Sequence, residues 1–288
     1  MPRPLVSVVV PTRDRMASLG ATVEALRRQQ DAEPFELIIV DDGSTDGTGA
    51  FLAALAAQGA IVHVIGGGRG AAAARNAGIG RAGGELIAFT DDDCEVPPDW
   101  VARLRQRLVQ TGAAAVGGRV VAAPDAARPA RISQAITNGI ARALNDGSEA
   151  AFLTSNNVAY RAAALREAGL FDERFTGAGG EERELHARLR TRGERLVYAA
   201  DIVVTHRPPM SWRDFLRQQA AYGRGARRYY RQRDTDSGER SRMGPGQYLR
   251  AFAAALGEAR PQDRAVLALG LPLSQAAVAW GYLRAPRP

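Results

Sequence analysis

The sequence predicts an α/β domain built on a mixed, mostly parallel sheet flanked by helices, with a C-terminal helical extension. Three observations carry this. Short β-branched runs alternate with amphipathic segments through the first part of the chain. Four of those runs end in loops of polar residues or glycine, where an open α/β sheet binds its ligands. After His206 the composition changes to Arg-rich and helical in pattern.

The elements follow in order. "VSVVV" (Val6 to Val10) reads as the first strand, and the helix after it places Leu19, Val23 and Leu26 on one face. "FELIIV" (Phe35 to Val40) leads through "DDGSTDGTG" into "AFLAALAAQ". "IVHVI" (Ile61 to Ile65) leads through "GGGRG" into "AAAARNAGIG", and "LIAF" (Leu86 to Phe89) ends on Asp91, Asp92 and Asp93. Further on, "AVGGRVV" (Ala115 to Val121) reads as a strand, "ISQAITNGIARAL" (Ile132 to Leu144) as a helix and "SNNVAYR" (Ser155 to Arg161) as a loop entering a strand. A helix with Leu185 and Leu189 on its apolar face stops at Gly193. "LVYAADIVVTHRPP" gives a strand pair ending at His206, and Pro208 and Pro209 mark a boundary between a domain of residues 1–210 and an extension of residues 211–288. The extension holds "FLRQQAAYGRGARRYYRQR", a polar Gly/Ser linker, and "AVLALGLPLSQAAVAWGYLRA". Pro272, Ser274 and Gln275 interrupt the last segment, which is expected to fall short of a bilayer span and to suit a membrane surface.

Composition excludes several functions. All 38 Lys+Arg residues are Arg, and a Walker P-loop, a pyridoxal phosphate Schiff base and a kinase ATP site all need lysine. Cys94 is the single cysteine, which rules out an intrachain disulfide framework and suits a reducing compartment. The N-terminal apolar run is too short and reaches Arg13 too soon for a secretory signal, so a cytoplasmic location is expected. The charge is uneven: residues 207–288 carry 15 Arg against 6 Asp+Glu, so the formal +7 belongs to the extension.

Four stretches carry candidate chemistry. In "VDDGSTD" (Val40 to Asp46), Asp42 or Ser44 can cap the following helix, while Asp41 can accept hydrogen bonds from a base or a ribose. "GGGRGAAAARNAGIG" (Gly66 to Gly80) can bring backbone amides to a phosphate, and it superficially fits a Rossmann fingerprint, although it follows the third strand and not the first. Arg75 within it can reach a phosphate, or be a solvated surface arginine. At the Asp cluster, alternation along an extended segment lets Asp91 and Asp93 face one ligand while Asp92 turns elsewhere. Three adjacent anions repel one another unless a cation compensates them, and hard carboxylate oxygens suit Mg²⁺ or Mn²⁺. In "GGEERELHARL" (Gly179 to Leu189), Glu181, Glu182 and Glu184 are wholly explained by the helix dipole, which is the favoured reading of this stretch alone; the alternative makes one of them a general base.

Taken in order, "VVVPTRDR", "VDDGSTD", "GRGAAAARNAGI", "FTDDDCEVPPDW" and "GGEERELHARLRTRG" resemble the motifs of the family 2 glycosyltransferases, over about residues 5 to 210. The resemblance implies a GT-A fold and metal-dependent, inverting transfer of a sugar from a UDP-, GDP- or dTDP-sugar to a saccharide or lipid-linked acceptor. It implies nucleotide binding by Pro11, Thr12, Arg13, Asp41, Asp42, Arg75, Asp91 and Asp92. Asp93, Asp91 and His206 would hold Mg²⁺ or Mn²⁺, and Asn156, Asn157 and Trp212 would line the sugar and acceptor side. Glu182 stands where the family usually has a catalytic Asp; the extra methylene leaves Glu181 and Glu182 unseparated as the base. Two other readings are an NAD- or SAM-binding Rossmann enzyme and a non-catalytic anion- or membrane-binding module centred on the Arg-rich extension. An anionic membrane surface at the inner face of the membrane is an expected partner, and nucleic acid is not.

Overall fold

The computed structural model describes residues 4–30, 34–145, 149–177, 179–236 and 244–285, without the side chains of residues 234–236 and 245. Its core is an eight-stranded sheet in the order β3-β2-β1-β4-β7-β6-β8-β5. The strands are β1 (Val6–Thr12), β2 (Phe35–Asp41), β3 (Val62–Ile65), β4 (Leu86–Phe89), β5 (Cys94–Glu95), β6 (Ala115–Ala122), β7 (Val158–Arg161) and β8 (Leu196–His206). The first four are mutually parallel. β7 runs antiparallel to β4 and β6, and β8 is parallel to β6. Central strands covered on both faces need near-continuous apolar runs, and Val6 to Val10 are all buried and all apolar but Ser7, whose hydroxyl is bonded to Glu36.

Helices cover both faces. On one side α1 (Met16–Arg27), α2 (Thr48–Ala57) and α4 (Trp100–Thr111) bury Leu19, Leu52 and Trp100 against Val8 and Val10. On the other, α3 (Ala71–Arg81), α6 (Ala162–Glu167) and α7 (Glu181–Thr191) bury Ile79, Leu165 and Leu185 against Val9 and Ile38. Gly78 permits the close seat of α3, because a Cβ there would overlap the Val9 side chain. The parallel strands deliver Thr12, Asp41 and the residues after Phe89 to one edge. β5 pairs antiparallel with β8, setting Cys94 opposite His206, so the end of β8 arrives at the same place.

Two expectations need correction. The strand pair ending at His206 is one long strand, β8, whose register against β6 jumps from Gly118↔Ala199 to Arg119↔Val203, so the irregular residues form a bulge and not a turn. The extension folds as α8 (Trp212–Asp236), α9 (Pro245–Glu258) and α10 (Pro261–Arg284), and α10 continues through Pro272. Pro272 is exposed, as is Ala268, whose carbonyl loses its intrahelical partner, so solvent can satisfy it. The polar linker falls largely at residues 237–243, outside the described residues.

The extension docks on α5 (Arg128–Leu144) through Ile132, Ile136, Phe215, Leu267 and Leu271. Buried Asp263 at the start of α10 accepts a bidentate pair from Arg131 (2.7 and 2.9 Å). α8 also reaches the loop before α7, where Gly225 approaches the carbonyl of Gly179 so closely that a Cβ would collide with it.

Candidate active site

The loop after β2 is knitted to the loop after β1. Asp41 Oδ1 accepts the Ser44 N–H (2.8 Å), Ser44 Oγ accepts the Asp14 N–H (2.9 Å), and Asp14 Oδ1 accepts the Thr45 N–H (2.7 Å). Neither Asp42 nor Ser44 caps α2. Asp46 supplies that bond, accepting the Thr48 N–H (3.1 Å) and hydroxyl (2.6 Å). Asp42 turns the other way, its two oxygens accepting the Arg69 N–H (3.1 Å) and the Gly70 N–H (2.8 Å) at the start of α3. The glycine-rich loop therefore spends these two amides on the chain's own carboxylate. Those two amides are taken and do not contribute to a phosphate cradle. Asp42 thus holds this loop with one hydrogen bond to each oxygen, and each oxygen keeps a lone pair for a further donor.

Arg75 is 4% exposed, which overturns the reading of it as a solvated arginine. Its guanidinium reaches Glu181 Oε1 (3.3 Å) and Asp91 Oδ1 (3.4 Å) and lies over the Phe171 ring (5.7 Å). Asn76 clasps the Phe171 backbone, donating to its carbonyl (2.8 Å) and accepting its N–H (3.0 Å). Thus α3 ties the end of β4 to the start of α7.

The Asp cluster is a turn and not an extended segment, closed by the Cys94 N–H bonding the Asp91 carbonyl (3.2 Å). The expected alternation is therefore corrected. Asp91 faces Arg75, while Asp92 and Asp93 share Arg15 at 3.9 and 4.0 Å. Asp93 Oδ1 lies 3.1 Å from His206 Nε2, and His206 Nδ1 lies 3.0 Å from Gln134 Oε1. Burial pushes the Asp92 carboxyl up to about 7, with Asp93 and Asp91 adding repulsion. Burial also raises Asp91 more than Arg75 relieves it. For Asp93, burial is outweighed by the hydrogen bond and charge of His206, and its pKa is lowered. The same pair raises His206 against its own burial.

The donor set fits a divalent ion. Ligand atoms of Asp93, Cys94 and His206 lie within 4.8 Å of one another, and the neighbouring carboxyls are held above their ordinary range by burial and uncompensated charge. Burial and the charges of Asp91 and Asp93 push the Cys94 thiol well up, so the protonated sulfur is a poor ligand and oxygen and imidazole donors dominate.

Glu181 and Glu182 separate here. Glu181 is buried beside Arg75, and burial followed by the charge of Glu182 raises its pKa. Glu182 is half-buried and accepts a hydrogen bond from Ser155 Oγ (2.8 Å). Among the described residues, Arg75 Nε, Glu181 Oε2 and Asn156 Oδ1 are buried without hydrogen-bond partners, which marks where a polar ligand would complete the structure.

The remaining expected residues divide. Thr12 is buried at the end of β1, in register with Asp41, and Pro11 precedes it. Arg13 points outward and pairs with Asp14 (3.8 Å). Asn157 is corrected: fully buried, it accepts the Trp100 indole N–H (2.9 Å) and donates to the Arg119 and Ile202 carbonyls (both 2.9 Å), pinning the bulge between β6 and β8. Trp212 is exposed at the start of α8, edge-on to Phe215. Sequence reasoning missed Arg15, whose signal was its place in the loop carrying Thr12. It also missed the approach of Cys94 to His206, which only strand pairing creates.

A mixed sheet of this order, with an acid turn after β4 and a second acid pair opening α7, is the GT-A architecture. Residues 7–169 match the family model for glycosyl transferase family 2, and the chain belongs to that family. The pre-mycofactocin glycosyltransferase of Mycobacterium tuberculosis is 28% identical over 228 residues, covering 77% of this chain and 46% of its own, so this chain spans about half that relative's length. The mannosyltransferase PcManGT of Pyrobaculum calidifontis, solved with GDP-Man and Mn²⁺, superposes with a TM-score of 0.66 at 19% identity over 98% of this chain and 87% of its own. S. aureus TarS 1–349, solved with UDP-GlcNAc, gives 0.57 at 14% identity over 96% and 89%. At these identities both likenesses concern the fold.

Proposed function

We propose that this protein transfers a sugar from a nucleotide-diphosphate sugar to an acceptor hydroxyl by a single, inverting displacement that depends on Mg²⁺ or Mn²⁺. The observation carrying the reading is the convergence of Asp91, Asp92, Asp93, His206, Arg75 and Glu182 from four separate elements on one edge of the sheet. Asp93 and His206, with Asp91, would hold the ion, which when bound supplies positive charge to the departing diphosphate. Thr12 and Asp41, at the ends of β1 and β2, would receive the nucleoside. Arg75 keeps Asp91 and Glu181 in place and adds positive charge behind the diphosphate. Glu182 is the general base, oriented by Ser155 and taking the proton from the attacking hydroxyl, while Glu181 holds Arg75. Asn156, with an unpartnered amide oxygen, is the group on the sugar side. Residues 1–210 form the transferase unit and 211–288 brace it through α5 and the loop before α7. The ligands named for PcManGT and TarS support GDP- and UDP-sugars as donors to try first, with dTDP-sugars third. The acceptor is a saccharide or a lipid-linked saccharide, used on the cytoplasmic side.

The test is thermal stabilisation by a panel of UDP-, GDP- and dTDP-sugars with and without Mn²⁺, followed by product analysis with the best donor. One class should raise the melting temperature, more so with the metal, because ligand binding stabilises by mass action. A panel in which no nucleotide sugar stabilises the protein refutes the proposal.

A further inference from the structure

α10 is built inside out. Its buried positions include Asp263, Ser274 and Gly281 as well as Leu267 and Leu271, and Ser274 Oγ donates to Gln219 of α8 (2.9 Å). Gly281 meets α8 so closely that a Cβ would collide with the Ala220 carbonyl. Every exposed position from Ala265 to Leu283 is apolar, and Leu269 (81%), Leu273 (53%), Trp280 (57%) and Leu283 (74%) stand open. The helix is long and apolar enough to cross a membrane by length and composition, yet only 22% of its most apolar stretch is buried. A core helix would be mostly buried, and a signal sequence would lie near the N-terminus.

Arginine frames this face. Exposed Arg264 precedes it, and Arg284 closes it with its guanidinium 4.0 Å over the Trp280 ring. No acidic residue lies between them. The exposed stripe runs about 27 Å at the helical rise. Crossing a bilayer would require α10 to leave Gln219 and the Asp263–Arg131 pair, whereas lying in the interface leaves both intact. A second copy of the chain would set one arginine-framed stripe against another with no acid on either to neutralise them. Anionic headgroups supply that charge, and Trp and Arg suit the headgroup level.

We infer that the exposed face of α10 is a membrane-docking surface, lying in the plane of an anionic bilayer with Leu269, Leu273, Trp280 and Leu283 in the acyl boundary and Arg264 and Arg284 among the headgroups. This rests on α10 and not on the transfer reaction, so vesicle binding and nucleotide binding succeed or fail separately.

The test is flotation of the full chain with vesicles of phosphatidylcholine alone or mixed with phosphatidylglycerol. Flotation with the mixed vesicles is expected. Leu269→Glu/Leu283→Glu should lower the partition by about tenfold or more, and each of Arg264→Gln and Arg284→Gln by about fivefold. All four positions are exposed, so melting temperatures should not move. In a Trp212→Phe background, Trp280 emission should shift to the blue on vesicle addition. Absence of flotation, flotation indifferent to the glutamates, or equal binding to neutral vesicles overturns the inference. So does a solution dimer that Leu269→Glu dissolves, which would make a second copy the occupant.

Discussion

Exchanging Glu182 and Glu181 for glutamine, one at a time, should give opposite phenotypes. The amide introduced by Glu182→Gln keeps an oxygen to accept the Ser155 hydroxyl bond, now 2.8 Å long, so the fold loses only the difference between a charged and a neutral hydrogen bond, about 1 kcal/mol. What disappears is the proton acceptor. General base catalysis contributes about 10²–10⁴ in rate, so kcat should fall by that factor while donor KM holds. Glu181→Gln removes one of the two carboxylates flanking buried Arg75, at 3.3 Å, leaving Asp91 at 3.4 Å. A partly uncompensated buried cation costs about 1–3 kcal/mol, and since Asp91 still faces Arg75, the lower half of that range is expected. The melting temperature should therefore drop by several degrees with most of kcat retained. The assay pairs steady-state kinetics on the donor found by thermal screening with melting curves of the same samples. A Glu181→Gln enzyme that folds normally but is dead, beside an active Glu182→Gln enzyme, refutes the assignment.

Three further outcomes are expected. Burial lowers the His186 pKa from 6.5 to about 3, so its contribution is fully present above 6.5 and lost as pH falls through that window. His186 Nε2 lies 2.7 Å from the Tyr160 hydroxyl. Unfolding by denaturant should show stability declining by about 1.4 kcal/mol per pH unit from this group, and His186→Gln, which can still bond Tyr160, should flatten that acid limb; an unchanged slope contradicts it. Asp42→Ala strands the Arg69 and Gly70 amides and should cost about 1–3 kcal/mol; a melting temperature equal to wild type would show that those amides have another partner. Asp263→Asn weakens the bidentate Arg131 contact by about 1.5–3 kcal/mol and should speed proteolysis within the extension before the sheet domain is cut. Cleavage at the wild-type rate would mean that the apolar contacts of α5 suffice.

Much of the fold was legible because it rests on local pattern. The parallel strands read as short runs rich in Val and Ile, and α1 and α7 read from Leu spacing. The loops of the site were legible for the same reason, each being a polar break after an apolar run. What escaped depends on pairing between distant segments. Nothing near Cys94 announces that β5 will lie against the end of β8. The burial of Asn157 follows from a bulge that no local signal marks, and Asp42 was misread because its partners are backbone amides in another loop. Glu181 and Glu182 are neighbours of one residue type, so only the helix's orientation tells them apart. Pro272 misled for a different reason: a proline on the exposed side of a packed helix leaves its freed carbonyl to solvent, and the helix goes on.

On the proposed function, the carboxylates at the end of β4, with His206, take up a divalent ion together with a nucleoside diphosphate. Isothermal titration of UDP and GDP into the wild-type protein and Asp93→Asn, each with and without Mn²⁺, tests it directly. Tight binding of one nucleotide is expected only when Mn²⁺ is present, and should be lost in Asp93→Asn. Equal affinity with and without the ion, or an unaffected Asp93→Asn protein, would contradict it.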